Sequence, residues 1–390
     1  MKNKCIVIGG GAAGLMAASS AAFCLKDEAY QITVVEKNSR PARKVMITGK
    51  GRCNVTNNCD IDTLISNIPQ NPRFLYSAFS TFSSEDTMNF FESEGVPLKT
   101  ERGNRVFPVS DKSVDIVDAL VKAVKKAGVI ITQGEVCDIL TENNKVTGVL
   151  CADGRKFEAE SVLIATGGCS YTATGSTGDG YSFAKKLGHT VTDLRPSLVP
   201  MEIYEGFCST LSGLSLKNVK LSIKVNGKQI FSEQGEMLFT HFGISGPLVL
   251  SASAITNCDF AKDKCEAFID LKPALSCEQL DKRILRDFEE YKNKELINAM
   301  DGLLPKKLIP FVISSAGINP HTKVNALTKE QRQALVITLK ALPLTVIGFR
   351  PFTEAVITRG GVSVKEINPK TMGSKLVEGL YFSGEVIDVD

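Results

Sequence analysis

One glycine-rich turn near the N-terminus constrains the fold of this chain more than any other feature of the sequence. Residues 9–14 read GGGAAG and contain the spacing G-x-G-x-x-G. They follow the apolar stretch 5–8 and open the stretch 12–25, which is rich in small residues that favour a helix. The β-branched stretch 32–35 comes next. This order predicts a strand, a tight turn, a helix and a second parallel strand, the βαβ unit of a nucleotide-binding sheet.

Each glycine of the motif has a physical role at a phosphate-binding turn. Gly9 permits the tight turn, Gly11 lets the backbone approach a pyrophosphate, and Gly14 lets the helix pack closely on the strand. Glu36 ends the second strand, at the position where a carboxylate accepts hydrogen bonds from a ribose hydroxyl. The four residues predict a site for the ADP half of a dinucleotide, which NAD and FAD share.

The chain beyond this unit alternates between segments that extend the first domain and segments of a different pattern. The apolar stretch 161–166 indicates a further buried strand, and 136–150 indicates a hairpin. Between 193 and 275, short alternating stretches surround Asn226 and Gly227, a pair typical of a two-residue hairpin turn. We therefore expect an inserted antiparallel β domain at 193–275.

A small helical domain is expected at 276–342. Its amphipathic stretches begin behind Ser276 and Thr328, residue types that favour helix N-caps. After 343 the β-rich pattern returns. The sequence thus predicts an α/β fold in which 1–192 and 343–390 form one discontinuous Rossmann-like domain, interrupted by the two insertions.

Composition narrows the class of protein and its partners. The 390 residues carry a net charge of +3 and no Trp, so the concentrated basic field that nucleic-acid binding requires is not indicated. No run of about 18 apolar residues predicts a membrane span, and the stretch 5–8 ends at glycine, which argues against a signal peptide. Eleven cysteines and three histidines show neither a disulfide framework nor metal-ligand spacing. We expect a cytoplasmic protein without nucleic-acid, membrane or metal partners, and the oligomeric state stays open.

Two later segments favour FAD over NAD. Residues 165–168 read ATGG after a buried strand, and residues 380–385 read LYFSGE near the C-terminus. Both resemble the additional glycine signatures of flavoproteins with two dinucleotide folds, in which an acidic residue at the position of Glu385 contacts the ribityl chain. An ordinary strand that ends in a glycine turn would explain either segment alone. Their joint presence with the first motif predicts bound FAD.

The segment 49–57, which reads GKGRCNVTN behind Arg43 and Lys44, is the most specific motif of the chain. It resembles the bacterial FAD-dependent flavoproteins that include BaiN-type bile-acid reductases and aminoacetone oxidases. The resemblance covers nearly the whole chain and continues in the segments 103–108, 174–180, 238–241, 243–247 and 358–362.

The resemblance implies a fold and a set of cofactor contacts. It implies an FAD domain interrupted by a β-barrel-like domain and a helical domain, in agreement with the changes of pattern along the chain. Ala13 would meet the phosphates through its backbone, Glu36 the adenosine ribose and Val136 the adenine, with Arg43 and Lys44 beside the ribose. The complete predicted cofactor set is Gly9, Gly11, Ala13, Gly14, Glu36, Arg43, Lys44, Gly51, Arg52, Cys53, Asn54, Val136, Ala165, Thr166, Gly167, Gly384 and Glu385.

Two cysteines and one histidine are candidate reactive side chains. Flavin-dependent disulfide reductases carry a cysteine pair with four intervening residues soon after the first βαβ unit, whereas Cys53 and Cys59 are separated by five residues. This spacing argues against a dithiol relay. His241 is a candidate acid or base, because imidazole titrates near neutral pH, and a structural histidine is the alternative.

These features predict an FAD-dependent oxidoreductase that transfers a hydride between NAD(P)H and a small or apolar organic substrate, with an enone favoured. A bound flavin performs the redox step, so the chain needs no nucleophile or catalytic triad. Oxidation of a small amine, as in aminoacetone oxidases, is the alternative activity. A flavin-bound sensor or partner module without turnover is the alternative of a different class.

One expectation concerns the C-terminus. In the resembling family a glycine-rich turn and a closing helix follow the segment that corresponds to 386–390, and this sequence contains neither. The N-terminus of that helix would stabilise reduced flavin through its unpaired N–H groups and its dipole. We therefore expect looser FAD binding and a lower flavin reduction potential than in a relative that has the segment.

Overall fold

The structure is a computed structural model that describes residues 3–25 and 30–390. The chain divides into two compact units, the first formed by Met1–Pro196 with Ala355–Asp390 and the second by Ser197–Glu354. The first unit is a mixed α/β domain, and the second contains a barrel and several helices. No helix in the described part of the chain combines the length and the hydrophobicity that crossing a bilayer requires.

Short strands and helices alternate along the chain. The strands are β1 (Asn3–Ile8), β2 (Tyr30–Glu36), β3 (Thr56–Asn57), β4 (Leu98–Thr100), β5 (Arg105–Pro108), β6 (Ile130–Gln133), β7 (Val136–Glu142), β8 (Lys145–Cys151), β9 (Lys156–Glu158), β10 (Ser161–Ile164), β11 (Arg195–Ser197), β12 (Met201–Ile203), β13 (Ser215–Val225), β14 (Lys228–Thr240), β15 (Gly243–Ser245), β16 (Cys265–Asp270), β17 (Leu342–Phe349), β18 (Ile357–Arg359) and β19 (Leu380–Phe382). The helices are α1 (Ala12–Cys24), α2 (Arg43–Ile47), α3 (Ile61–Ser66), α4 (Tyr76–Thr81), α5 (Ser84–Ser93), α6 (Ser113–Lys126), α7 (Asp179–Lys186), α8 (Phe207–Thr210), α9 (Pro247–Ile255), α10 (Cys277–Glu290), α11 (Leu296–Ala299), α12 (Ile309–Ser315) and α13 (Lys329–Lys340).

Five parallel strands form the central sheet of the first unit, in the order β19, β10, β1, β2, β6. Successive residues of β1 point to opposite faces of this sheet. Ile6 joins a hydrophobic cluster with Val162 and Phe382, whereas Val7 joins a second cluster with Leu15. Burial on both faces explains why residues 5–8 of β1 are apolar throughout, and the parallel sheet confirms the predicted Rossmann-type domain.

The carboxyl ends of the parallel strands meet at one edge of the sheet. β1 is followed there by Gly9, β10 by Ala165 and β19 by Ser383, while β2 ends at Glu36. In parallel α/β sheets this edge is where dinucleotides bind. Segments far apart in the sequence are thus brought together by topology.

Two small antiparallel sheets complete the first unit. One contains β3, β5 and β4, and the other contains β7, β8 and β9. β7 and β8 form the hairpin that the sequence indicated at 136–150. β3 of the first sheet is the end of the specific segment 49–57, and β7 of the second sheet begins at Val136.

A closed six-stranded barrel forms the centre of the second unit, in the order β12, β15, β14, β13, β16, β17. Its buried side chains include Leu221, Phe239 and Ile269. β13 and β14 are joined at Asn226 and Gly227, which have φ of +49° and +79°, as a two-residue turn of type I′ requires. The barrel confirms the predicted antiparallel insertion.

The second unit extends further along the chain than the sequence indicated. β17 closes the barrel by pairing with β12 and β16, so the unit runs from Ser197 to Glu354 rather than ending at 342. A closed barrel leaves no strand with an unpaired edge, and β17 is the strand that removes that edge. Its partners lie far away in the sequence, so local patterns could not assign it.

The helices of the second unit begin where the sequence predicted. Ser276 and Thr328 are the N-caps of α10 and α13, and each forms a capping box with a glutamine three residues later. The apolar faces of these helices bury Leu280 and Leu335 in the same hydrophobic cluster as the barrel interior. The helical segment therefore shares one core with the barrel.

Candidate functional site

A cavity of about 350 Å³ lies at the carboxyl edge of the sheet, within the first unit. We call it the main cavity. Most of the predicted cofactor residues line it, namely Gly9, Gly11, Ala13, Glu36, Arg43, Lys44, Val136, Ala165, Thr166, Gly167, Gly384 and Glu385. Gly14, Gly51, Arg52, Cys53 and Asn54 are outside this lining.

The glycine-rich turn forms one wall of the main cavity. Gly9 has φ of +102° and donates its N–H to the carbonyl of Val35 over 2.9 Å. A Cβ on Gly9 would lie 2.6 Å from the carbonyl oxygen of Ala165, so the neighbouring strand excludes a side chain there. A Cβ on Gly11 would meet no atom of the described residues within 4 Å. The backbone at Gly11 is therefore accessible from the cavity.

The N-terminus of α1 offers a favourable environment for an anion. The first turn of a helix carries unpaired N–H groups and a partial positive charge. No acidic residue occupies the first turn of α1, and Ala12 and Ala13 line the cavity. Small side chains and open backbone at this helix end are suited to a pyrophosphate.

Glu36 is held in a fixed orientation at the end of β2. Its side chain is buried, and Oε2 accepts a hydrogen bond from the N–H of Gly10 over 2.7 Å. Oε1 accepts from the backbone N–H and from the side-chain amide of Asn38, over 2.8 and 2.7 Å. A carboxylate has about four acceptor positions, so one remains for a ligand hydroxyl. This geometry fits the ribose contact predicted for Glu36.

Two cations lie near Glu36, and each is engaged by the protein. Lys37 Nζ is 2.6 Å from Asp179 Oδ2 and also donates to the hydroxyl of Thr177. Arg43 donates to the side-chain oxygen of Asn38 over 3.1 Å. The T-G-D-G segment at 177–180 thereby neutralises Lys37 at the cavity wall. This part of the cavity is suited to an unphosphorylated ribose.

Glu385 forms the opposite wall with three hydrogen-bond donors. Lys44 Nζ lies 2.7 Å from Glu385 Oε2. The hydroxyl of Ser170 and the backbone N–H of Thr358 both donate to Glu385 Oε1, over 2.8 and 2.7 Å. The sequence predicted Lys44 beside the adenosine ribose, whereas the structure pairs its ammonium with the carboxylate of the C-terminal signature.

The two glycine signatures meet in space. A Cβ on Gly384, which has φ of +78°, would lie 2.7 Å from Cβ of Ala13. The hydroxyl of Tyr181 donates to the backbone carbonyl of Glu385 over 3.2 Å and holds the same turn from the side of α7. The chain around Gly384 is therefore packed directly on the phosphate-binding turn.

Residues 165–167 line the cavity between these two walls. Gly167 has φ of +73°, and a Cβ there would lie 3.0 Å from the hydroxyl of Ser176. Thr166 Oγ1 is buried and has no hydrogen-bond partner among the described residues. A Cβ on Gly180 would collide with this hydroxyl, which therefore packs against the start of α7 rather than facing the cavity.

The specific segment 49–57 is absent from the lining of the main cavity. Arg52 is engaged by two carboxylates, those of Glu101 and Asp111, and its guanidinium stacks 4.1 Å from the ring of Phe107. Cys53 is buried with φ of +59°. These contacts attach the segment to the small sheet of β3, β5 and β4. A cofactor role for residues 51–54 stays a prediction.

The candidate reactive side chains lie in different environments. Burial raises the pKa of Cys53 and of Cys59, and for Cys59 the carboxylate of Asp60 raises it further. His241 is exposed at the turn between β14 and β15, with its ring edge-to-face against Phe242 at 4.9 Å. The residues that the structure describes contain no group of three or more His, Cys, Asp or Glu side chains arranged for a metal ion.

The main cavity fits a dinucleotide with an unphosphorylated adenosine. It combines open backbone at a helix N-terminus, one free acceptor position on Glu36 and a second acid, Glu385. These features match the phosphates, a ribose hydroxyl and a polyol chain in turn. FAD contains all three groups.

Sequence reasoning missed several residues of this site. Asp179 lies in the segment 174–180 that carried the family resemblance, but its ion pair with Lys37 could not be predicted from the sequence. Ser170 and Thr358 complete the contacts of Glu385 although they lie far apart in the sequence. The segment 358–362 carried a signal as part of the family resemblance, whereas Ser170 carried none.

Comparisons with known proteins agree with this site. The family profile described as "HI0933-like protein Rossmann domain" matches residues 3–390. The 3-dehydro-bile acid delta(4,6)-reductase of Clostridium scindens is 29% identical over 390 residues, which are 100% of this chain and 93% of that protein. These matches confirm the family that the motifs predicted, and they confirm a Rossmann-type FAD-binding domain.

Two further relatives bear a different name. The ribosomal RNA dihydrouridine synthase of Haemophilus influenzae is 31% identical and that of Escherichia coli 30% identical, each covering 98% of this chain and 92% or 91% of the relative. A solved structure of E. coli quinol fumarate reductase FrdA aligns with 99% of this chain at 13% identity and a TM-score of 0.44, and this chain spans 65% of its length. The expected absence of a nucleic-acid partner stays a prediction.

Proposed function

Because the chain belongs to the HI0933-like family and is an FAD-dependent oxidoreductase, we propose that it reduces a carbon–carbon double bond conjugated with a carbonyl group, using NAD(P)H. The net reaction adds a hydride from NAD(P)H and a proton to the two carbons of the double bond and releases NAD(P)+. The observation that carries this proposal is the full-length similarity to a bile-acid reductase. In a 3-dehydro steroid, double bonds at C4 and C6 are conjugated with the C3 ketone.

The residues of the main cavity divide into groups that would hold different parts of FAD. Gly9, Gly11 and the first turn of α1 would hold the pyrophosphate, and Glu36 the adenosine ribose. Val136 would border the adenine, and Glu385 would meet the ribityl chain. When bound, FAD supplies the two-electron redox chemistry.

His241 is the candidate acid or base that the sequence offers. Its turn is braced by Phe242, whose ring lies 4.4 Å from the guanidinium of Arg350. Arg350 is itself held by Glu202 and Glu354. The imidazole is exposed on this turn, and histidine commonly serves as a general acid.

Replacing His241 tests that role. We expect His241→Gln to lower kcat for the reduction about a hundredfold, as the loss of a general acid does, with FAD affinity unchanged. His321→Gln is the matched control, because His321 is also exposed and is paired with Glu295. Equal kcat in the two variants would assign His241 a structural role.

Ribosomal RNA is the second candidate substrate. It is favoured by the two relatives named ribosomal RNA dihydrouridine synthase. Dihydrouridine is uridine whose C5–C6 double bond, conjugated with the C4 carbonyl, has been saturated. The bond type is therefore the same as in an enone, and the two candidates differ in the size and charge of the molecule that carries it.

Anaerobic flavin spectroscopy distinguishes the candidates. NADH or NADPH is added to the flavin-loaded protein without oxygen, and loss of the oxidised flavin absorbance is recorded. A 3-oxo-Δ4 steroid or a ribosomal RNA transcript is then added as the second reactant. In a separate experiment without NADH or NADPH, aminoacetone is added to the oxidised protein and oxygen is admitted afterwards. Recovery of absorbance with the steroid supports the proposal, and recovery with the transcript alone identifies the RNA. Bleaching by aminoacetone and recovery with oxygen would identify an amine oxidase and overturn the reductase.

A further inference from the structure

The ammonium of Lys44 contacts no other carboxylate in the described residues than that of Glu385. Lys44 lies on α2, which follows Ala42, a residue with φ of +55° whose N–H donates to the carbonyl of Gly10 over 2.8 Å. The phosphate-binding turn therefore fixes the start of α2. Lys44 Nζ reaches from this helix to the hydroxyl of Ser170 over 2.6 Å and to Glu385 over 2.7 Å.

The hydrogen bonds among Lys44, Ser170, Thr358 and Glu385 do not use every donor and acceptor of these side chains. An ammonium has three N–H donors, and Lys44 uses two of them, on Ser170 and Glu385. A carboxylate has about four acceptor positions, and three on Glu385 are filled by Lys44, Ser170 and Thr358. One acceptor position of Glu385 therefore remains, on a side chain that lines the main cavity. A ligand hydroxyl can donate a hydrogen bond to it.

The charges of the two side chains compensate each other. Their side chains are 23% and 21% exposed, so the pair is screened less by solvent than a surface ion pair. Without Lys44, the carboxylate of Glu385 would keep its two neutral donors and lose its only cationic partner among the described residues. A net negative charge would then stand in the cavity.

We infer that Lys44 is a positioning residue that holds Glu385 for a polyol hydroxyl and cancels its charge beside the flavin. The inference rests on the proposed flavin site. It assigns Lys44 to the ribityl side of the cavity and separates its role from that of Arg43, which contacts Asn38 on the ribose side. Because Lys44 acts through Glu385, the effect of removing Lys44 on FAD affinity depends on whether Glu385 is present.

A double-mutant cycle on FAD affinity tests this dependence. Apo-protein is titrated with FAD for the unaltered chain, Lys44→Met, Glu385→Gln and the double variant. We expect each single variant to bind FAD about tenfold more weakly, and the double variant to bind within about twofold of Glu385→Gln. Lys44→Arg, which retains the cation, is expected to recover most of the affinity. Lys125→Met, the loss of an exposed lysine on α6, is the matched control and leaves FAD affinity unchanged.

The flavin midpoint potential is the second measurement. A purely structural role of Lys44 would not shift this potential in opposite directions in the two single variants. Lys44→Met leaves an uncompensated negative charge near reduced flavin, so we expect a lower potential. Glu385→Gln leaves an uncompensated positive charge, so we expect a higher one. The double variant is expected near the unaltered protein. A melting curve of each apo-variant verifies that it is folded.

Two results would overturn the inference. One is an equal loss of affinity from Lys44→Met with and without Glu385, which would mean that Lys44 contacts the ligand independently. The other is a shift of both single variants to the same side in potential. Neither measurement uses turnover, so failure of the proposed enone reduction would leave this test intact.

Discussion

Gly14 packs so closely on Gly9 that a side chain on Gly14 would collide with the carbonyl oxygen of Gly9. Gly11 lies between them in the sequence and is in the opposite situation, because a Cβ there would project into open space. The same motif thus contains a glycine required for folding and a glycine required for access of a ligand. Substitutions at the two positions are expected to separate folding from cofactor binding.

We expect Gly11→Val to fold and to lose FAD. Gly11 has φ of −76°, which valine adopts, and the loss of a glycine N-cap costs only about 1 kcal/mol. The isopropyl group would occupy the space above the helix N-terminus where a pyrophosphate binds. Flavin content after reconstitution and the melting temperature measure the two effects. Full flavin occupancy would show that the phosphates bind elsewhere, and Gly14→Ala, expected to unfold, is the contrasting variant.

Thr166→Val is expected to leave the apo-protein as stable as the unaltered chain or more stable. The Thr166 hydroxyl is buried and unsatisfied, so its removal leaves the free energy of unfolding equal or higher. Thr338→Val is the control, because the Thr338 hydroxyl donates to Ala334 over 2.9 Å, and that variant should lose stability. Urea unfolding of the two apo-variants measures the difference. A loss of stability in Thr166→Val equal to that in Thr338→Val would show that the Thr166 hydroxyl has a partner.

Cys59→Ser is expected to leave anaerobic flavin reduction within about twofold of the unaltered protein. Burial raises the pKa of both Cys53 and Cys59, so neither thiol is disposed to form the thiolate that a redox relay needs. The unaltered protein should also show no long-wavelength charge-transfer band on reduction. Stopped-flow absorbance measures both properties. Appearance of such a band and its loss in Cys59→Ser would establish a dithiol relay.

We expect the free energy of unfolding to fall on acidification because of His189. Its buried ring accepts a hydrogen bond at Nε2 from the Ser374 hydroxyl over 2.8 Å, since that hydroxyl oxygen already accepts from the N–H groups of Leu376 and Val377. Nδ1 lies 3.3 Å from Glu366. Burial lowers the pKa of His189 below its ordinary value, and the nearby carboxylate of Glu366 opposes this effect. The neutral imidazole is therefore the native form.

The sign of the pH effect follows from this shift. Below about pH 6.5 the unfolded chain binds a proton at this histidine that the folded protein resists, so the free energy of unfolding falls as the pH falls toward the lowered pKa. The slope is at most about 1.4 kcal/mol per pH unit. We expect His189→Gln to show a smaller slope than the unaltered protein between pH 7 and 5. Urea unfolding at several pH values measures it, and identical slopes would contradict the assignment.

Local patterns were sufficient for the elements whose stability is local. The turn at Gly9, the N-caps Ser276 and Thr328 and the hairpin at Asn226 all depend on backbone geometry within a few residues, so the sequence predicts them directly. The sequence also predicted the family and the FAD-binding fold, because each motif that specifies them is a short run of neighbouring residues.

Tertiary structure alone decided which residues share the cavity. Parallel strands bring the ends of β1, β2, β10 and β19 to one edge, and this pairing joins positions that no local pattern connects. For that reason Lys44 pairs with Glu385, Asp179 with Lys37, and β17 with the barrel, none of which the spacing of residues could indicate. The sequence by itself determined the backbone turns and the chemical groups available, because these depend on neighbouring residues. Their mutual distances, and hence the charge and hydrogen-bonding capacity of the site, depend on long-range packing and were decided only by the fold.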